Sequence, residues 1–189
     1  MADYFLQQEY NDLRYLREDV NHKEFEQCVF RNCDFSQCNF IAVVFIDCRF
    51  VDCNFNSSKI NHVALRTVSF ERCQIQDVNF AMCDKLIFEI VFTDCVLDFS
   101  KFYTLKIKGT VFKNCSLIAV DFMSTDLTEV VFENCDLYRA EFSKAIANKA
   151  NFSSSYNYTI DPEQTKIKKA VFSLQEVKGL LFKHDITIQ

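Results

Sequence analysis

Glycine, proline and tryptophan are almost missing from this chain of 189 residues, which has two glycines, one proline and no tryptophan. So few glycines exclude a glycine-rich loop that cradles a phosphate group. No apolar run approaches the roughly 18 residues that a membrane-spanning helix needs. The amino terminus also lacks the basic stretch and apolar core of a secretory signal. We therefore expect a soluble protein of the cytoplasm.

An excess of charge of one sign is missing as well. The net charge is −5, and acidic and basic residues are mixed along the whole length. A protein that binds nucleic acid usually shows a basic face, and no basic stretch is visible in this sequence. We therefore expect neither direct nucleic-acid contact nor membrane association.

Phenylalanine and cysteine are abundant instead, with 21 and 10 copies. Both occur in a seven-residue phrase that returns every twenty residues, with one interval of twenty-two. The phrase starts at residues 29, 49, 69, 91, 111 and 131. A fixed period of this length is typical of a solenoid built from stacked repeats.

A shorter period of five residues lies inside the longer one. Large apolar residues fall at every fifth position from Phe25 to Phe80 and, after a two-residue slip, from Ile87 to Phe152. Neither a helix nor a straight strand puts every fifth residue on one face. They can share one face if the chain turns a corner in each repeat. Four repeats per twenty residues then predict a four-sided coil.

The position two residues before each large apolar residue is expected to point inward too, and it holds all ten cysteines. Six of them would form one straight column, which does not supply the tetrahedral geometry of a zinc site. Reduced cysteine behaves as a small apolar core residue. Because His22, His62 and His184 are scattered, we expect no catalytic, cofactor or metal site and no enzyme.

The five-residue unit, written Cys-Asp-Phe-Ser-Gln at 33–37 and Ala-Glu-Phe-Ser-Lys at 140–144, resembles the pentapeptide repeat family. The resemblance covers about residues 9–157. It implies an all-β solenoid, a right-handed quadrilateral β-helix with about seven to eight coils. Residues 1–8 would then be an N-terminal lead-in or cap, and residues 158–189 a C-terminal cap.

The C-terminal segment carries the signature of a short α-helix. Ser173 and Glu176 form a capping box, and the predicted helix extends to about Lys183. Its apolar stripe consists of Leu174, Val177, Leu180 and Leu181. An open solenoid end must be covered, so this stripe packs on the end or meets a second copy. In relatives that bind type II topoisomerases the C-terminal segment pairs two rods, and the resemblance therefore implies a homodimer.

The tail from Tyr158 to Pro162 and the later Phe172-Ser173-Leu174 resemble the quinolone-resistance and toxin-immunity subgroup. The resemblance implies a non-catalytic, DNA-mimicking rod that binds and protects DNA gyrase or topoisomerase IV. Two features differ from that subgroup. No long loop projects from the repeats, and acidic residues share their coil side with basic ones. That side carries Glu24, Glu26, Asp47, Arg66, Lys106 and Lys108.

A generic interaction or scaffold solenoid with an unrelated partner is the alternative. One outward column contains Val91, Val111 and Val131, which suits either a docking surface or the stability of the strands. Leu86, Phe88 and Phe99 are predicted to point outward near the slip at residues 81–86. The slip is therefore either a tolerated insertion that packs these side chains out of the solvent or a projection that binds a partner.

Overall fold

The computed structural model of this protein describes residues 3–16, 19–36, 38–184 and 186–187. Residues 1–2 of the predicted lead-in and residues 185, 188 and 189 of the predicted cap lie outside the described residues. The chain winds into a parallel β-solenoid with four-sided coils, which confirms the predicted architecture. We number its walls 1 to 4 after the inward residues of one coil, Phe25, Phe30, Phe35 and Phe40, which are all buried.

Continuous strands occur only in walls 1 and 2 of the described chain. They are β1 (Asp3–Leu6), β2 (Glu9–Asn11), β3 (Lys23–Glu26), β4 (Val29–Arg31), β5 (Val44–Ile46), β6 (Arg49–Val51), β7 (Ala64–Arg66), β8 (Val68–Glu71), β9 (Ile90–Thr93), β10 (Val111–Lys113) and β11 (Val131–Glu133). Wall 1 has the order β1-β3-β5-β7, and wall 2 has the order β2-β4-β6-β8-β9-β10-β11. Because β1 pairs in register with β3, the stack begins at Asp3, inside the segment expected to be a lead-in.

Walls 3 and 4 are ladders of single parallel bridges, for example from Asp34 to Asn54 and from Asn39 to Lys59. At the corners, the second residue after the inward apolar one adopts a left-handed backbone. Among the described residues this conformation occurs at 26 residues other than glycine, with φ between 50° and 63°, and at Gly109. Left-handed backbone costs a non-glycine residue about 1 kcal/mol or more. The backbone hydrogen bonds between coils therefore offset a strain that recurs at each corner.

Stacked phenylalanine rings fill the axis. Phe30 stacks on Phe50 with ring centroids 4.9 Å apart, and it meets Phe35 of the next wall edge-on at 5.7 Å. From Phe92 to Phe152 the axial rings come only from walls 2 and 4, as in the pair Phe112 and Phe132 at 5.3 Å. Leucine, isoleucine or alanine fills walls 1 and 3 there, as the alternation in the sequence predicts.

All ten cysteines are buried and free, which confirms their predicted inward position. Five of the six thiols in the column of wall 3, all except Cys95, lie beside a backbone carbonyl of the preceding coil. Cys53 Sγ donates to Phe30 O at 3.4 Å, and Cys73 Sγ donates to Phe50 O at the same distance. Burial raises the pKa of Cys38 to about 11 and that of Cys48 to about 12. These two thiols therefore remain protonated at neutral pH and serve as core side chains.

The slip corrects two sequence predictions. Ile87, expected at the axis, is exposed, and Phe88, expected to point outward, packs partly buried against the core. The insertion of two residues is accommodated by a single 3-10 turn at Phe80–Met82 and by a bulge that follows it. In the bulge the Asp84 carboxylate accepts the Leu86 N–H at 2.9 Å. The bulge delays the inward phase by one residue, so Phe88 takes the place of Ile87.

The C-terminal end is closed by aromatic stacking. Phe172 stacks on Phe152 at 5.1 Å, and the buried Tyr158 contacts both rings. Gly179 lies so close that a Cβ there would stand 2.1 Å from the Tyr158 carbonyl oxygen. The predicted α-helix is wrong: the segment forms 3-10 turns at Val177–Leu180 and Phe182–His184. Ser173 Oγ does accept the Glu176 N–H, at 3.2 Å, but Gly179 disfavours a longer helix.

No helix in the described ranges is long and apolar enough to cross a membrane.

Candidate partner-binding surface

Wall 3 carries acids and few basic residues. Its described outward positions between Arg14 and Arg139 include no lysine or arginine. The acidic residues on this wall and its corner are Asp34, Asp77, Asp98 and Asp136. The rungs are continuous, because bridges run from Arg14 to Asp34 and onward through Ser116 to Asp136 and Tyr156. The result is a wall on which separate carboxylates recur along the rod, with rungs of neutral side chains between them.

Hydrogen bonds hold these carboxylates in place. Asp34 and Asp136 each accept the backbone N–H two residues later, at 2.9 and 3.0 Å. Asp98 reaches the next coil, where it accepts from Ser116 Oγ at 2.6 Å and from the Ile118 N–H at 3.0 Å. Burial opposes ionisation of Asp34, but hydrogen bonds from Ser36 and the nearby Arg14 lower its pKa overall. These carboxylates therefore accept hydrogen bonds that stabilise the turns. An ionised carboxylate has two oxygens, so it can also accept hydrogen bonds from a partner.

Large apolar side chains accompany the acids. Phe99 is 56% exposed and Tyr138 is 53% exposed, and Val96 and Ile118 are half-buried between them. Phe99 occupies a corner position with φ of 63°. A bulky residue rarely adopts this conformation, and strain of this kind motivates a functional hypothesis. Phe99 is therefore the strongest single candidate for an anchor.

Wall 2 differs because its charges are paired with each other. Arg72 contacts Asp52 at 2.7 Å and also pairs with Glu71, and Lys113 contacts Glu133 at 2.9 Å. Its corner column is a side-chain ladder, in which Asn114 donates to Asp94 at 2.8 Å and Asn134 donates to Asn114 at 3.0 Å. This wall satisfies its own polar groups.

The predicted partner residues lie on several faces. Val91, Val111 and Val131 stack in register on wall 2, as the sequence predicts. Leu86, 79% exposed, lies on the bulge between walls 4 and 1. Phe99 lies at the corner between walls 3 and 4. Of the predicted set, the structure brings only the valines together.

The predicted cap residues divide into two groups. Val177 and Leu180 are partly buried, and Leu180 packs against the core. Leu174 is 91% exposed, and Leu181 is exposed as well. Phe182, which the sequence interpretation missed, is 75% exposed.

Beside these residues lies an open groove of about 990 Å³. Its lining includes Tyr138, Arg139, Leu181, Phe182 and Ile186. The exposed surface of wall 3 therefore continues from Tyr138 into this groove. The apolar stripe predicted for an α-helix did not include Phe182 or Ile186. The prediction assumed α-helical spacing, whereas the segment forms 3-10 turns.

Within the described residues, no group of three or more histidine, cysteine, aspartate or glutamate side chains could hold a metal ion. His62 and His184 lie at a corner and in the C-terminal turn, far apart in the fold. The surface consists of carboxylates, amides and apolar side chains, so its arrangement suits binding.

Two family models match the chain. One, described as a pentapeptide repeat region, covers residues 23–86, and the other, described as pentapeptide repeats in eight copies, covers residues 115–153. The chain belongs to the pentapeptide repeat family. Both matches coincide with the coils on either side of the bulge. No curated protein matches the sequence.

Several solved pentapeptide repeat structures are similar over most of the chain at low identity. Full-length QnrB1, a plasmid-mediated fluoroquinolone resistance protein, is 15% identical, and the match covers 97% of this chain and 100% of that one with a TM-score of 0.47. HetL of Nostoc sp. strain PCC 7120, involved in heterocyst differentiation regulation, is 10% identical, covering 92% and 87% with a TM-score of 0.48. Rfr23 of Cyanothece 51142 is 8% identical, covering 92% and 86% with a TM-score of 0.27.

Proposed function

We propose that this pentapeptide repeat protein is a non-catalytic binding protein that places wall 3 against a basic protein surface that normally holds DNA. The observation that carries the proposal is the set of Asp34, Asp98 and Asp136 on a wall whose described outward positions between Arg14 and Arg139 include no lysine or arginine. The resemblance of the sequence to quinolone-resistance proteins makes DNA gyrase and topoisomerase IV the partners to test.

Charge and shape support this choice in different ways. A row of carboxylates attracts a basic groove at a distance and raises the rate of association. Binding then requires a few anchors that lose their water, and aromatic residues dominate such anchors. Phe99 and Tyr138, both more than half exposed, stand beside the acids on wall 3.

The matching experiment is a gyrase supercoiling assay with and without a quinolone. We expect the protein to restore supercoiling in the presence of the drug. A double variant, Asp98→Asn with Asp136→Asn, removes two charges yet keeps oxygens that can accept the same hydrogen bonds. This variant should need at least ~10-fold more protein for the same protection, a loss of about 1.4 kcal/mol.

The control variant makes the same chemical change on wall 2. Asp94 accepts from Asn114 at 2.8 Å and Asp12 accepts from Asn32 at 2.7 Å, so Asp94→Asn with Asp12→Asn removes two charges without touching wall 3. Protection should stay at the wild-type level. Equal losses in the two double variants, or no protection by the wild type of either topoisomerase, would reject the assignment.

We also propose that two copies pair through their C-terminal ends. The exposed Leu174, Leu181 and Phe182 support this interface, whereas Val177 and Leu180 serve the cap. The chain has a mass of 22.2 kDa, so light scattering separates monomer from dimer. We expect a dimer that Phe182→Ser converts to a monomer, and a monomeric wild type would remove this part of the proposal.

A scaffold with another partner is the second candidate, and the stacked Val91, Val111 and Val131 favour it. In that case the substitution Val111→Lys should abolish capture of the partner while the wall 3 variants leave it unchanged. We place either activity in the cytoplasm, where a reducing environment suits ten free cysteines.

A further inference from the structure

Four lysines gather on the last two rungs of wall 1, opposite wall 3. We define the lysine patch as Lys149, Lys166, Lys168 and Lys169, all of which are exposed. The rungs are adjacent: Ile146 bridges to Lys166, and the Lys149 N–H donates to the Lys168 carbonyl at 2.9 Å. Lys149 and Lys169 occupy corner positions, with φ of 58° and 60°.

Acidic side chains leave most of this charge uncompensated. Lys149 contacts Glu129 at 2.7 Å, but no carboxylate of the described chain lies within 4.0 Å of the ammonium group of Lys166, Lys168 or Lys169. The acids that precede the patch in sequence, Asp161 and Glu163, are paired with Lys183 at 2.8 and 2.5 Å.

Two cations on wall 2 behave differently from the lysine patch. Lys113 contacts an acid one coil away, Glu133 at 2.9 Å, and Arg72 does the same with Asp52 at 2.7 Å. Like charges that face each other across neighbouring strands destabilise a sheet. With rungs about 4.8 Å apart, the lysine patch concentrates repulsion that an anionic ligand would relieve. Because the patch lies on a flat wall and has no enclosed pocket, it suits a ligand with several anionic groups in a row.

We propose that the lysine patch binds the phosphate backbone of duplex nucleic acid without reading its sequence. The outward neighbours on these rungs, Ile146 and Asn148, include no aromatic side chain for stacking a single-stranded base, and lysines on a wall can follow a line of phosphates. An anionic membrane is less well matched, because the exposed Leu174 lies on a different corner from the lysines. Walls 1 and 3 are opposite, so this site does not depend on the protein partner proposed above.

Fluorescence anisotropy with a short labelled duplex of arbitrary sequence tests the proposal. We expect binding at low salt, with equal affinity for a second duplex of unrelated sequence. The triple variant Lys166→Gln, Lys168→Gln, Lys169→Gln should bind at least ~10-fold more weakly. Its plot of log affinity against log salt should be shallower by about 2.7, since each neutralised phosphate contributes roughly 0.9 to the slope.

A matched control removes three lysines from other walls by the substitutions Lys59→Gln, Lys101→Gln and Lys113→Gln. This variant should keep both the affinity and the salt slope, and thermal melting should show that all variants remain folded. No binding by the wild type would overturn the proposal, as would equal weakening in the two triple variants. Preferential binding to vesicles that contain phosphatidylserine, with the same lysine dependence, would assign the patch to a membrane surface instead.

Discussion

Walls 2 and 3 have the same backbone plan and differ in what their outward side chains do. On wall 2 Arg49, Arg72 and Lys113 pair with acids, and the asparagine ladder around Asn114 fills the corner. On wall 3 Asp34 pairs with Arg14, but the described outward positions from there to Arg139 include no lysine or arginine. The corner of this wall holds Phe99 and Ala119. The comparison teaches that one repeat can build both a wall whose charges are mostly paired and the wall that we propose as the partner surface.

The largest expected effect comes from Phe99→Gly at the corner of wall 3. Glycine accepts the left-handed backbone, so the protein should gain up to about 1 kcal/mol in unfolding free energy. Loss of the exposed ring should weaken partner binding by at least ~10-fold, as for a typical aromatic anchor. Urea unfolding and a binding titration measure the two changes. A variant that is more stable and still binds normally would show that Phe99 is only a strained corner residue.

On wall 2 the substitution Asn114→Ala should destabilise the protein by about 1 to 2 kcal/mol. It removes the hydrogen bonds to Asp94 and from Asn134, and alanine suits a left-handed backbone less well. Partner binding should not change. A denaturation midpoint equal to the wild type would mean that the ladder contributes nothing.

On wall 3 a substitution with the opposite effect on stability is Ala119→Gly, which should stabilise the protein by a few tenths to about 1 kcal/mol. Ala119 has φ of 53°, and glycine removes the clash at the cost of a more flexible unfolded chain. Gly109→Ala provides the converse, because Gly109 has φ of 72° and open space around its Cβ position. The two variants should move the thermal midpoint in opposite directions.

The smallest effect is expected for Lys113→Gln on wall 2. The Lys113–Glu133 pair is exposed, and surface pairs contribute little to stability. Glu133 raises the pKa of Lys113, so any stabilisation is present at neutral pH and lost only as the pH rises through that raised pKa. We expect a midpoint indistinguishable from the wild type at neutral pH, and a clear drop would show that pairing on wall 2 is structurally important.

Much of the fold follows from the sequence, because the period of five admits so few geometries. The inward cysteines and the valine column lie where the period places them. Ile87 could not be distinguished from Phe88, since an insertion of two residues leaves the phase of adjacent apolar residues undetermined. The sequence did not predict the left-handed backbone at the corners either. Glycine is the usual sign of that conformation, and Gly109 is the one glycine at such a corner.

The candidate surface was less predictable than the fold. Wall 1 mixes Glu24 and Glu26 with Arg66 and has no continuous acidic stripe. None forms on wall 3 either, because neutral rungs separate the acids of wall 3. These acids are spread from Asp34 to Asp136 in sequence, and their common wall is recognised only when every rung is assigned to its wall. Phe182 was missed because the predicted helical stripe ended at Leu181, whereas the segment forms two short turns.

The most direct test of wall 3 is a binding titration of purified gyrase with two variants that differ by one wall. Asp98→Asn and Asp94→Asn each remove one charge, from the same coil, and each leaves an oxygen that can accept the existing hydrogen bonds. Our account predicts weaker binding for Asp98→Asn and wild-type binding for Asp94→Asn. Identical affinities for the two variants would contradict it.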